Sequence, residues 1–305
     1  MVKIVIIGNS AAGFSVLENL IRELPEKQLT VVSREGYPAY RRNLLIDYFS
    51  GKTKEEDIFL CTEEFYKRKG VIFHANSEVE RIDTRRCKVV LKNKSRIDYD
   101  YLVIASGNKV NIPDIPGKNK EGSFAFCYLE EIKGIKNKLM LADTVCVTGE
   151  IKLCVSLAEA ISFKYPNKEI KIITKENNAS LLSEGKIELL TGVSVQELIG
   201  EGGLQAIKLD SGKIIASSLL LFAGDYQASS GFLKDTEINN DSGYIITDEN
   251  MRTNLDNVFA CGSVAKNNND LSKDKLWKDC IEEGGIAASS IIKLIEKRNI
   301  VYSKV

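Results

Sequence analysis

The sequence predicts an α/β protein assembled from strand–turn–helix units. Three observations predict it. The chain opens on "KIVIIGNSAAGFSVLENLIREL", an apolar β-branched run, a glycine-bounded turn and an amphipathic stretch with Phe14, Leu17, Leu20 and Ile21 at helical spacing. A second run of the same kind, "TVCVTGEIKLCVSL" at 144–157, turns at Gly149 into another helix-compatible segment. The 305 residues are enough for two ordinary domains or one large α/β domain.

The first turn reads Gly8-Asn9-Ser10-Ala11-Ala12-Gly13. In a dinucleotide fingerprint the first glycine permits the tight turn. The second lets a pyrophosphate reach backbone N–H groups, and the third lets helix and strand pack closely. Gly8 and Gly13 fill the first and third roles, and Ser10 stands at the second. The next strand, "LTVVS", ends at Ser33-Arg34-Glu35. A carboxylate there hydrogen-bonds a ribose hydroxyl, which makes Glu35 the candidate, with an ordinary surface residue as the competing reading.

Further segments follow in a specific order. "REGYPAYRRNLLIDYFSG" lies at 34–51, "SEVERID" at 77–83 and "YDYLVIASGNKVNIPDIPG" at 99–117. Later come "GYIITDENMRTNLDNVFACGSVAK" at 243–266 and "LWKDCIEEGGIAASSIIKLIE" at 276–296. Together they resemble the FAD-dependent pyridine nucleotide–disulfide oxidoreductase superfamily over nearly the whole chain. The likeness is to its NADH oxidase, rubredoxin/ferredoxin reductase and nitrite-reductase-type members. It implies two nested Rossmann-like three-layer ββα domains of the FAD/NAD(P)-binding fold. The FAD domain is discontinuous, at 1–111 and 240–305, and an NAD(P)H-type domain is inserted at 112–239. A plain NAD-only Rossmann protein is the competitor, and it has no need of the late "VFACGS" turn feeding a C-terminal helix.

Carried over residue by residue, the resemblance implies that Gly8, Ser10, Ala11, Ala12 and Gly13 wrap the FAD pyrophosphate. It puts Glu35 on the adenosine ribose, Val79 beside adenine and Arg42 beside the flavin. Ser106 and Gly107 lie against the cofactor, and Gly262 and Ser263 meet the ribityl chain. Glu282, Glu283 and Gly284 stand near the flavin pyrimidine edge at a helix N-terminus, suited to tuning the flavin. Two departures stand out. Relatives carry aspartate where Ser263 stands, so a charge-assisted bond worth about 1 kcal/mol or more is lost. Around Asn43 there is no cysteine where disulfide- or peroxide-reducing relatives have one. The catalytic group is therefore not identified, and no redox cysteine pair exists.

The stretch from Phe126 to Asn178 reads helix, strand, turn, helix, strand, in the place of the family's second dinucleotide unit. Aligned by its strand, Gly149 is the first fingerprint position, Ile151 the second and Cys154 the third. The isoleucine puts bulk where a pyrophosphate approaches backbone, and the cysteine puts a side chain where helix and strand lie flush. Thr174 stands at the ribose position, with no carboxylate until Glu176. Lys152 is a solvated helix residue rather than a phosphate ligand. The helix that relatives place before the following β-meander is expected to be reduced to a turn.

Composition narrows the rest. Acidic and basic residues balance at 42 each, which gives no argument for nucleic acid or an acidic membrane. The seven cysteines form no C-x-x-C pair and there is one histidine, so no metal site is expected. The start "MVKIVIIG" reads as a strand rather than a leader, and the expected location is the cytoplasm. The expectation is an FAD-binding oxidoreductase that exchanges electrons with an iron–sulfur or other redox protein, its NAD(P)H binding weak or lost. A homo-oligomer is compatible with it. The alternatives are a non-catalytic subunit or assembly factor that keeps the fold, and a working NAD(P)H-dependent flavin reductase. A free-standing NAD-binding regulator fits least, because the better fingerprint is the first one.

Overall fold

The period of two along a strand explains the first sheet. In the strand Val2–Ile7, Ile4 and Ile6 enter one buried cluster and Val5 and Ile7 another, on the opposite face. A strand covered on both faces needs an unbroken apolar run, which is what the sequence has. The computed structural model describes residues 1–176, 187–267 and 275–302. These form two compact units, one of Met1–Arg41, Phe59–Asn108 and Ala228–Val305, the other of Arg42–Ile58 and Lys109–Gln227.

In the first unit the strands run Val258–Ala260, Tyr101–Ile104, Val2–Ile7, Lys27–Val32, Ile72–His74 across one sheet, every neighbouring pair parallel. The helix Ala11–Glu23 covers one face and ends before Pro25, which cannot continue it. The helix Trp277–Tyr302 lies against it, with Ala287, Ala288 and Ile291 fully buried in the shared cluster. An antiparallel meander, Val79–Asp83, Lys88–Leu91 and Arg96–Asp98, covers the other face.

The second unit repeats the scheme. Its sheet runs Ile187–Leu190, Glu169–Ile173, Thr144–Gly149, Leu219–Ala223, Ser123–Ala125, again all parallel. The helices Leu129–Leu139 and Ile151–Lys164 and a meander of Val195–Ile199, Ala206–Leu209 and Ile214–Ala216 complete it. Residues 42–58 group here because the short helix Leu45–Ser50 is pinned in place. Phe49 meets Phe126 edge-on at 5.5 Å, and Lys164 Nζ donates to the Phe49 carbonyl at 3.0 Å. Residues 228–239 group with the first unit, where Ala228, Leu233 and Ile238 are buried. The shortened helix expected before the second meander falls on 177–186, outside the described residues. No described helix is long and apolar enough to cross a membrane.

Candidate functional site

At the first turn, the two glycines are required by backbone crowding. Gly8 has φ +112°, and a Cβ on it would stand 2.1 Å from the Ala105 carbonyl oxygen. A Cβ on Gly13 would stand 2.1 Å from the Gly8 carbonyl oxygen. Neither obstacle is a side chain that can swing away. Ser10 is extended at the helix N-cap, makes no side-chain capping bond, and no acidic residue lies in the first helical turn. The positive end of this helix is therefore not neutralised by a local carboxylate, which suits an anion. The turn is held from behind. Tyr66, 1% exposed and stacked on Phe73 at 4.3 Å, donates its hydroxyl proton to Asn9 Oδ1 at 2.9 Å and accepts the Ala39 N–H at 3.1 Å. Burial pushes the Tyr66 hydroxyl well above the ordinary tyrosine range, so it stays a neutral donor.

Several other expected residues join this turn in the first unit. Glu35 is oriented by the Tyr40 hydroxyl, 2.8 and 3.1 Å from its two carboxylate oxygens. Val79 is buried at the start of the meander, beside a register shift. Ser106 Oγ is buried without a hydrogen-bond partner among the described residues, and Gly107, at φ +66°, offers its carbonyl to Ser229 N–H at 2.9 Å. Gly262, at φ +75°, abuts the helix start: a Cβ on it would lie 2.8 Å from Ala12 Cβ. Ser263 Oγ lies 3.6 Å from Cys280 Sγ. An orphaned hydroxyl, an uncapped helix start and a pre-oriented carboxylate are groups that an FAD molecule can satisfy, so the residues present fit that cofactor.

One expectation needs correction. Glu282, Glu283 and Gly284 do not stand at a helix N-terminus, because the helix begins at Trp277. Gly284 is instead the point where two helices cross: a Cβ there would lie 2.5 Å from the Ala12 carbonyl oxygen and 2.8 Å from Ser15 Cβ. Glu282 is exposed, whereas Glu283 turns inward and accepts the Gly262 N–H at 2.7 Å. Arg42 belongs to the second unit. Its guanidinium lies 4.5 Å over the Tyr128 ring and donates to the Cys127 carbonyl at 3.0 Å and sulfur at 2.7 Å.

The second turn keeps the backbone device and changes what surrounds it. Gly149 has φ +130°, and a Cβ on it would stand 2.0 Å from the Ala223 carbonyl oxygen, as at Gly8 and Ala105. The helix then begins one residue sooner. Its first bond runs from Cys154 N–H to the Glu150 carbonyl, directly after the glycine, whereas in the first turn Phe14 N–H bonds Ser10, two residues after. Ile151 becomes the first helical residue, 5% exposed, and Cys154 is fully buried. Glu150 stands at the N-cap. Burial, then Asp225, Glu150 and Glu176, push the Cys154 thiol up to about 12. The second helix start thus carries an acid at its N-cap position where the first carries a serine.

Sequence reading misplaced one position here. Val32 and Ile173 end matching strands, in register with the residues before Gly8 and Gly149. Glu35 and Glu176 are both three residues further on, so Glu176 rather than Thr174 is the counterpart of Glu35. Counting from the strand end is the signal that finds it. Thr174 is buried and its hydroxyl accepts the Glu176 N–H at 3.1 Å. The cysteines with shifted thiols, at 61, 146, 154, 261 and 280, are all pushed upward by burial, away from the reactive thiolate. Among the described residues no group of His, Cys, Asp and Glu could hold a metal ion.

Comparison with known proteins gives the same architecture. The family described as pyridine nucleotide-disulphide oxidoreductase matches residues 2–284. The assimilatory nitrate reductase electron transfer subunit of Bacillus subtilis is 23% identical over 281 residues, 87% of this chain and 36% of that protein. The NADH-rubredoxin oxidoreductase of Clostridium acetobutylicum is 25% identical over 268 residues, 87% of this chain and 68% of that protein. The chain spans 36%, 65% and 37% of three such relatives, the other two being a coenzyme A polysulfide/persulfide reductase of Pyrococcus horikoshii and a nitrite reductase of Bacillus subtilis. The putidaredoxin reductase–putidaredoxin complex superposes with a TM-score of 0.84 at 18% identity, covering 95% of this chain and 75% of that one. At that identity the likeness is one of fold.

Proposed function

Because the chain belongs to the pyridine nucleotide-disulphide oxidoreductase family, we propose that it is an FAD-binding oxidoreductase that exchanges electrons with a protein redox partner rather than through a nucleotide on its second unit. The observation that carries this reading is the contrast between the two turns. Neither helix start has a side-chain capping bond or an acid in its first turn, but the first has a serine at its N-cap position, and the second has Glu150 there and a buried isoleucine as its first residue. When bound, FAD supplies the redox chemistry. The chain's part is to hold it. The N–H groups at the start of the first helix receive the pyrophosphate, Glu35 receives the ribose, and Ser106 and the Gly262–Ser263 turn meet the rest of the molecule.

Relatives whose names join them to a rubredoxin or a nitrate reductase support the choice of a protein partner. Glu176, at the counterpart of Glu35, supports a further ranking. Whatever nucleotide binding survives on the second unit favours NADH, since a carboxylate there repels the extra phosphate of NADPH. The acid at the N-cap position of the second turn and the serine at 263 also favour a second reading, a non-catalytic subunit that keeps the fold.

One absorption spectrum of the purified protein, before and after stoichiometric NADH and NADPH, tests the proposal. The expected result is a flavin spectrum that neither nucleotide bleaches rapidly. Rapid bleaching by NADH at micromolar concentration sinks the claim about the second turn. A colourless protein that does not take up FAD sinks the oxidoreductase and leaves the non-catalytic subunit.

A further inference from the structure

Behind the first turn lies an ion pair to which the function above gives no role. Lys275 Nζ stands 2.5 Å from Glu283 Oε1, and the two side chains are only 6% and 15% exposed. The other carboxylate oxygen of Glu283 accepts the Gly262 N–H at 2.7 Å. The Lys275 ammonium donates to the Ala265 carbonyl at 2.8 Å and reaches the Gly262 carbonyl at 3.4 Å. Both charges are thus spent on the same four-residue turn, 262–265. That turn touches the start of the helix Ala11–Glu23 through Gly262 and Ala12, and Gly284, next to Glu283, touches the Ala12 carbonyl.

A charge pair withdrawn from water holds only if mutual attraction and further hydrogen bonds offset its desolvation, and here each member has a main-chain partner as well. The pair is neutral as a whole. Removing one member leaves an uncompensated charge of known sign, poorly screened, beside the helix start that receives the pyrophosphate. Ser263 adds no charge of its own, so the acid of this turn is Glu283, held behind the turn.

We propose that Lys275 is a positioning residue for the dinucleotide: it fixes the 262–265 turn and cancels Glu283, so that the pyrophosphate of FAD meets the positive helix end and no net negative charge. The proposal rests on the FAD reading above. Its signature is a difference of sign. A merely structural pair would lower stability and FAD affinity together, whichever member is removed. An electrostatic one separates them.

The test measures FAD dissociation constants by titrating apoprotein, together with thermal midpoints, for the parent, Lys275→Met, Glu283→Gln and the double variant. Lys275→Met leaves the buried carboxylate unpaired and is expected to lower the midpoint and weaken FAD about tenfold or more. Glu283→Gln leaves the ammonium unpaired and is expected to lower the midpoint yet tighten FAD about threefold. The double variant, neutral again, is expected to return affinity to within about threefold of the parent. If Lys275→Met does not fold, Glu283→Gln and the double variant decide. FAD affinity that falls in Glu283→Gln in step with its midpoint overturns the role of the pair alone. A parent chain that binds no FAD overturns the function and this proposal with it.

Discussion

Replacing Ile151 by alanine separates a packing residue from a recognition residue. Ile151 is the first residue of its helix and 5% exposed, in the slot where a dinucleotide turn needs close access to backbone. Isoleucine to alanine deletes three buried carbons, about 2.4 kcal/mol at roughly 0.8 per methylene. The cavity left behind adds to that, and the better helix propensity of alanine returns about 0.4 kcal/mol. The net loss is about 2–4 kcal/mol, or roughly 5–12 °C in the midpoint for a domain of this size class. Urea and thermal unfolding, followed by circular dichroism, read it directly. The same variant, titrated with NADH, is expected to gain no saturable binding, because the Glu150 carboxylate still stands at the N-cap position. An unchanged midpoint would refute the assignment of Ile151 to the core. Micromolar NADH binding in the variant, absent from the parent, would show that bulk and not the acid closes the turn.

Three further outcomes follow from named contacts. Tyr40→Phe removes the hydroxyl that orients both oxygens of Glu35, and apoprotein titration should show FAD affinity falling about tenfold with little change in stability. Tyr66→Phe leaves the Ala39 N–H and Asn9 Oδ1 without their buried partner and should cost about 1–3 kcal/mol in urea unfolding. The Lys136 ammonium lies 3.3 Å over the Tyr48 ring, and desolvation, then Lys164, push it down to about 8. A lysine so lowered binds its proton less well folded than unfolded. Between about pH 8 and 10.5 the unfolded chain holds more protons, so this group's contribution to stability rises with pH across that window. Midpoints of Lys136→Met at pH 7, 8.5 and 10 should lack that rise, and an unchanged slope counts against the lowered value.

Both glycine turns could be read from sequence because their signal is local: a buried strand, a glycine that its neighbour's carbonyl crowds, then an apolar stripe. The roles of Gly8, Gly13 and Gly149 follow from such contacts, with the partner strands at Ala105 and Ala223 supplied by the structure. What depended on distant pairing was less legible. Glu283 read as a helix-start residue because nothing in "LWKDCIEEGG" marks Trp277 as the first helical position, and Leu276 N–H is capped by Asp279 instead. Its partnership with Lys275 crosses a turn of α-helix and the Gly262 backbone, which spacing does not show. Gly284 likewise suggested a cofactor edge, although its want of a side chain serves the crossing of two helices. Glu176 was visible all along: Thr174 stands one residue past its strand end, whereas Glu35 and Glu176 each stand three past theirs.

The parallel between Gly8 with Ala105 and Gly149 with Ala223 has a consequence for how such a chain can change. The glycine that shapes the turn answers to a carbonyl on the adjacent strand, and it is needed whether or not a ligand ever arrives. The positions that admit the ligand answer only to the ligand. Folding and recognition therefore impose separate demands on residues two apart, and either demand can lapse without disturbing the other. A unit can forget its nucleotide and remain a sound piece of architecture, available as a platform for a different partner.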